Sequence, residues 1–123
     1  MTPKNILIVD DDEAVRKTLS GVLSEAGWNV AEACDVSKAL GILGKQFIDI
    51  IVTDIVMSEI GGMEFLKKIR RVNKHVPVVI YTGYPSAEHY EEALQSGVTD
   101  FIAKPCESNE LLNKLQDIVA SAS

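Results

Sequence analysis

The 123-residue chain is short of cysteine and of net positive charge, and each shortage narrows what the protein can be. Its two cysteines, Cys34 and Cys106, lie far apart and outside any CxxC pair. Neither a zinc site nor a disulfide framework is indicated, and reduced thiols in an intracellular setting are expected. No apolar run approaches the roughly 20 residues of a membrane span. The opening MTPKNILIVDDD carries one lysine and too short an apolar stretch for a secretory signal, so a cytoplasmic protein with no membrane partner is expected. Acidic residues outnumber basic ones 18 to 12, for a formal charge of −6. A nucleic-acid backbone demands a basic face. The nearest approach, KKIRRVNKH at 67–75, reads as the solvated side of an amphipathic helix, so direct nucleic-acid binding by this segment is not expected. No GxxxxGK occurs, which removes the P-loop enzymes.

What is present is a 46% hydrophobic chain of single-domain size. Its apolar period switches repeatedly. ILIV (6–9) has strand length; Val15, Leu19, Val22, Leu23 and Ala26 then mark one helix face, stopped by Gly27. WNVAEA (28–33) reads as a strand, and Val36, Ala39, Leu40 and Leu43 as a helix ended by Gly44. FIDIIVTD (47–54) is the most strand-like run, and Met63, Leu66, Ile69 and Val72 give a third helix. VPVVIYT (76–82) is a strand with Pro77 tolerable only at its start. A polar helix follows over about 86–96 with Ser86 as its N-cap, then a strand DFIA (100–103) and a last helix carrying Leu111, Leu112, Leu115, Ile118 and Val119. Residues 1–123 thus form one domain, with 121–123 a fraying tail or the start of a linker. Five βα repeats whose strands are apolar on both faces predict a doubly wound α/β fold, a five-stranded parallel sheet covered on both sides. Its ligand site belongs at the carboxyl ends of the strands.

Those ends are chemically distinctive. The first strand runs into Asp10, Asp11 and Asp12, the third into Thr53 and Asp54, the fourth into Thr82 and Gly83, and the fifth into Lys104 and Pro105. Two carboxylates about 4 Å apart repel by roughly 4 kcal/mol at a surface-like effective dielectric, so the crowding at 10–12 requires compensation. Oxygen donors without histidine or thiolate suit a hard cation, Mg²⁺ in particular, which takes one or two carboxylates plus waters and phosphate oxygens. A lysine facing such carboxylates completes a site for a transferring phosphoryl group. Asp12, just before a helix, reads equally as a cap. Asp54 is a costly charge at the end of a largely apolar run.

The stretches ILIVDDDEAVR, DIIVTDIVM, VVIYTGY and DFIAKP, in this order and spacing, resemble the receiver domain of bacterial two-component response regulators, over about residues 4–121. The resemblance implies strand order 2-1-3-4-5. It also implies Asp54 as phosphoacceptor for a phosphoryl group from a sensor histidine kinase in a phosphorelay. Mg²⁺ (or Mn²⁺) would be held by Asp11 directly, by Asp10 mainly through water, by Asp54 and by the backbone carbonyl of Val56. Lys104 would pair with Asp54 and then with the phosphoryl oxygens, Thr82 would donate its hydroxyl to them, and the Lys104–Pro105 bond would be cis. Switching would bring Thr82 inward and turn the aromatic at 101, here Phe101, into the space vacated. The readout face would be the 86–96 helix, the fifth strand and the last helix, which would act on an output domain or partner protein and would allow a phosphorylation-dependent homodimer.

The chain departs from the family pattern at Ser58, where proline is usual, and at Gly61, where aspartate is common; Gly61-Gly62 adds backbone freedom. The positions that tune hydrolysis in the family hold Val56 and Tyr84, neither able to orient a water, which implies a long-lived aspartyl phosphate. Two rival readings are a haloacid-dehalogenase-type phosphohydrolase with Asp10 as nucleophile of a DxD and a receiver-fold interaction module that is never phosphorylated. The first lacks a late acidic motif, and the intact Asp/Asp/Asp/Thr/Lys set weighs against the second. A flavodoxin-like binder would want hydroxyls where the aspartates stand.

Overall fold

The runs ILIV and IIVT are apolar at every position because the sheet they build is covered on both faces. The computed structural model describes residues 4–54, 62–82, 95, 97–103 and 107–122. Its strands are β1 (Asn5–Val9), β2 (Asn29–Ala33), β3 (Ile50–Thr53), β4 (Val78–Thr82) and β5 (Asp100–Ala103). Its helices, among the described residues, are α1 (Glu13–Glu25), α2 (Val36–Leu43), α3 (Gly62–Val72) and α4 (Ser108–Ala122). The polar helix expected over 86–96 lies, Gln95 apart, outside the described residues. All neighbouring strands pair parallel, in the order β2-β1-β3-β4-β5. The fold is the doubly wound α/β arrangement that the alternation of periods predicts.

Alternate strand residues feed two cores. Ile6, Ile8, Ile50, Val52, Val79 and Ile102 meet Leu19 and Leu23 of α1 and Leu111, Leu115 and Val119 of α4. Leu7, Val9, Ile51 and Val78 meet Val36 and Ala39 of α2 and Phe65, Leu66 and Ile69 of α3. Gly27 ends α1 with φ +96, a conformation that costs only glycine little. Its N–H donates to the Ser24 carbonyl at 3.1 Å, and the Trp28 N–H donates to Leu23 at 3.0 Å, so the last helical carbonyls are satisfied and Trp28 folds onto Leu23.

The third strand begins at Ile50 rather than at residue 47; its approach is tied to β1 by the Asp49 N–H, which donates to the Asn5 carbonyl at 2.8 Å, and by two side chains. Asp49 Oδ2 accepts the Asn5 N–H at 2.7 Å, and Asn5 Nδ2 donates to the Phe47 carbonyl at 3.0 Å, leaving Phe47 71% exposed. The third helix forms as expected, with Leu66 and Ile69 buried beside Phe65 and Val72 72% exposed at its end, while the Met63 side chain lies outside the described residues. The last helix runs through Ala122, so residues 121 and 122 are helical.

Beyond α3 the chain is clasped by Arg70. Its Nη1 donates to the carbonyl of Val76 at 2.7 Å, and its Nε and Nη2 to that of Gly97 at 3.0 and 2.8 Å. Burial draws the Arg70 pKa down from the ordinary arginine range, yet the guanidinium stays charged at neutral pH. Gly97 has φ +95, and a Cβ there would lie 3.0 Å from Arg70 Nε. Gly97→Ala should therefore cost roughly 1–3 kcal/mol. Gly21, exposed within α1 with nothing within 4 Å of an added Cβ, should do the reverse, Gly21→Ala adding about 0.5–1 kcal/mol. Urea unfolding followed by the fluorescence of the lone, buried Trp28 reads both signs; equal signs would contradict the assignment.

Candidate functional site

Because all strands run one way, their carboxyl ends share an edge. β1 and β3 are neighbours with Val9 opposite Thr53, so Asp10 and Asp54 are the next residues on adjacent strands. Both backbones remain tied to the sheet as the chain leaves it: the Asp54 N–H donates to Val9 and the Asp10 N–H to Ala33, each at 3.2 Å. Asp10 is 4% exposed, Asp54 half-buried and Asp11 exposed. The Thr53 hydroxyl, buried, donates to the Asp54 carbonyl at 3.1 Å.

The three consecutive aspartates have different tasks. Asp10 Oδ1 accepts the Asp12 N–H at 2.9 Å, an Asx turn that bends the chain away from the sheet. Asp12 Oδ1 accepts the N–H groups of Ala14 at 2.9 Å and Val15 at 3.4 Å, capping α1 as its position suggests. Glu13 in the first turn adds a favourable charge at the positive end of the helix. That leaves the exposed Asp11 carboxylate, with Asp10 and Asp54, at the edge.

Sequence reasoning missed Arg16. It lies within the recognised DDDEAVR stretch, but only the tertiary structure gives it a task. Its Nη1 donates to the Asp10 carbonyl at 2.6 Å, and its Nε lies 3.6 Å from Glu32 Oε1. That oxygen is buried with no hydrogen bond, so the ion pair is what compensates it. Lys17 reaches the other Glu32 oxygen at 3.4 Å. A largely buried guanidinium thus sits beneath the acidic turn and offsets part of its repulsion. The available sequence signal was a cation one helical turn past the aspartates, which reads equally as a solvated residue.

Thr82 closes β4 opposite Ala103, at the same edge. Phe101, half-buried on β5, packs with Ile80 and Val98. Val56, Tyr84, Lys104 and the Lys104–Pro105 bond, with Ser58 and Gly61, lie outside the described residues. Asp10, Asp11, Asp54 and Thr82 are therefore brought to one edge, and the remaining expected partners are not described.

Among the described residues no three His, Cys, Asp or Glu side chains converge closely enough to hold a metal by themselves. Mg²⁺, were it bound here, would take one or two of these carboxylates and complete its shell with waters and phosphate oxygens. The donors are oxygens throughout, the chemistry a hard cation requires.

Comparison with known proteins gives a consistent result. The response regulator receiver domain family model matches residues 6–116. The transcriptional regulatory protein ZraR of Escherichia coli is 36% identical over 116 residues, 94% of this chain and 26% of that protein. The CAI-1 autoinducer sensor kinase/phosphatase CqsS of Vibrio cholerae is 36% identical over 115 residues, 91% of this chain and 17% of that protein. The chain thus spans about a quarter or less of these curated relatives. Among solved structures, the chemotaxis protein CheY4 of Vibrio cholerae superposes with a TM-score of 0.92 at 32% identity, covering 95% of this chain and 99% of that one. No helix among the described residues is long and apolar enough to cross a membrane.

Two substitutions separate support from chemistry at this edge. Asp12→Ala should cost about 1 kcal/mol by uncapping α1. Arg16→Gln, which keeps the stem and removes the charged fork, should cost about 1–3 kcal/mol. A native urea midpoint for Arg16→Gln would show that the guanidinium does not support the acidic turn.

Proposed function

Since the chain belongs to the response regulator receiver domain family, we propose that it accepts a phosphoryl group on Asp54 from the phosphohistidine of a sensor histidine kinase and signals to an output domain or partner protein. The observation that carries this reading is the β1–β3 register, with a half-buried Asp54 one strand away from a buried Asp10. An Asp54 carboxylate oxygen attacks phosphorus, the phosphorus–nitrogen bond of the donor breaks, and the imidazole nitrogen keeps the electron pair. The product is an aspartyl phosphate.

Asp10, Asp11 and Asp54, with the backbone carbonyl of Val56, would hold Mg²⁺. When bound, the cation supplies positive charge toward the phosphoryl oxygens. Arg16 holds the Asp10 carbonyl and so fixes the turn from which the two acidic side chains project. Lys104 and Thr82 donate to the phosphoryl oxygens. Asp10 suits support rather than attack, since it is almost fully buried and one of its oxygens already accepts the Asp12 amide. Phe101 has no hydroxyl, so coupling through position 101 runs by packing against Ile80 and Val98. With Val56 and Tyr84 unable to orient a water, the isolated domain holds its phosphoryl group long.

Intact mass after incubation with acetyl phosphate tests this directly. The native chain should gain one phosphoryl adduct only with Mg²⁺, and Asp54→Asn should gain none. An adduct that persists in Asp54→Asn and disappears in Asp10→Asn would instead favour a phosphohydrolase. Decay of the native adduct should be slow; loss within seconds would contradict the assigned effect of Val56 and Tyr84.

A further inference from the structure

The opposite edge of the sheet has the opposite character, and the phosphoryl chemistry makes no use of it. There the ends of α2 and α3 and the approach to β3 enclose a groove of about 390 Å³ lined by Leu40, Leu43, Phe47, Ile48 and Val72. Phe47 and Val72 are the large hydrophobic side chains most exposed among the described residues, and both are on this groove. A second recess of about 270 Å³ adjoins it, sharing Phe47, Ile48 and Asn73 and reaching Lys4 and His75. The two exposed side chains thus lie together in one concavity rather than scattered singly over the surface.

The charges around it identify the occupant. Lys45 stands between two groove-lining residues, Gly44 and Gln46. Arg71 and Lys74 flank Val72 and Asn73, and Lys68 precedes Val72 by one helical turn. The one carboxylate lining the adjoining recess, Asp49, already accepts the Asn5 amide. In a chain of formal charge −6, three exposed cations, Lys45, Arg71 and Lys74, are thus immediate chain neighbours of the groove lining. The concave space between two helix ends suits side chains of an inserted helix, whereas a lipid surface calls for a protruding face.

We infer that this groove docks an acidic amphipathic helix of a partner protein, its apolar face against Phe47 and Val72 and its carboxylates on Lys45, Arg71 and Lys74. This surface is separate from the phosphoryl site, so the inference stands or falls independently of that reading.

The test is selection from a display library of random peptides about 16 residues long, some four helical turns, against the native chain, with counter-selection on Phe47→Ser. Phe47 is exposed, so that variant keeps the fold, which circular dichroism confirms. Selected peptides should carry Asp or Glu flanking apolar residues at i, i+3/i+4 and i+7. They should shift amide NMR signals of residues 40–47 and 68–76, and bind Phe47→Ser at least about tenfold more weakly. Binding should fall as salt rises, and Lys45→Glu with Lys74→Glu should weaken it further. The inference is overturned if no peptide distinguishes native from Phe47→Ser, or if the peptides recovered are not acidic. It is equally overturned if these signals shift with protein concentration alone, meaning a second copy, or with phosphatidylserine vesicles in preference to the peptides.

Discussion

Everything at the acidic edge depends on one constraint, the in-register parallel pairing of β1 with β3. Parallel pairing fixes which residues leave the sheet side by side, and Val9 opposite Thr53 puts Asp10 and Asp54 there together. The arrangement is electrostatically unfavourable by itself. It holds because the strands are packed between two cores, and because the backbone of each aspartate is still hydrogen-bonded to a neighbouring strand. Arg16 and the Asp10–Asp12 turn then give the crowded carboxylates different tasks, Asp10 as support and Asp12 as cap, with Asp11 exposed beside them. Carboxylates held at one edge against their mutual repulsion would be stabilised by positive charge placed there.

Much of this was legible in the chain. The alternation of a continuous apolar run with a 3.6-residue stripe identified each described strand and helix, because burial on two faces and on one face leave different periods. Asp12 as cap and Gly27 as helix end followed from local backbone chemistry, which sequence carries directly. The strand order came with the family resemblance, since crossover rules alone leave several topologies. What failed were features set by distant partners. Phe47 looks like a strand residue until Asp49 and Asn5 divert the chain before it. Val72 keeps the helical period of α3 but falls where the helix outruns the sheet, and period counting cannot see where a neighbour stops. Arg16 and Arg70 look like solvated cations, and both are clasps.

The domain is therefore polar in two senses. One edge gathers carboxylates and the expected phosphoryl chemistry, and the other gathers cations around an apolar groove. Arg70 bridges part of the distance, joining the end of α3 to the turn before β5, the strand that carries Phe101. A sheet whose two ends differ in this way leaves room on one small body for two separate contacts.

The most direct test of the central claim, that the acidic edge is built for a hard cation, is urea stability with and without Mg²⁺ at constant ionic strength. A ligand that binds only the folded chain stabilises it by about 2.7 kcal/mol at a hundred times its dissociation constant. The account predicts a midpoint that rises and saturates with Mg²⁺ at an unchanged m-value, and no rise in Asp11→Asn. A midpoint that Mg²⁺ leaves where matched sodium chloride leaves it would contradict the account.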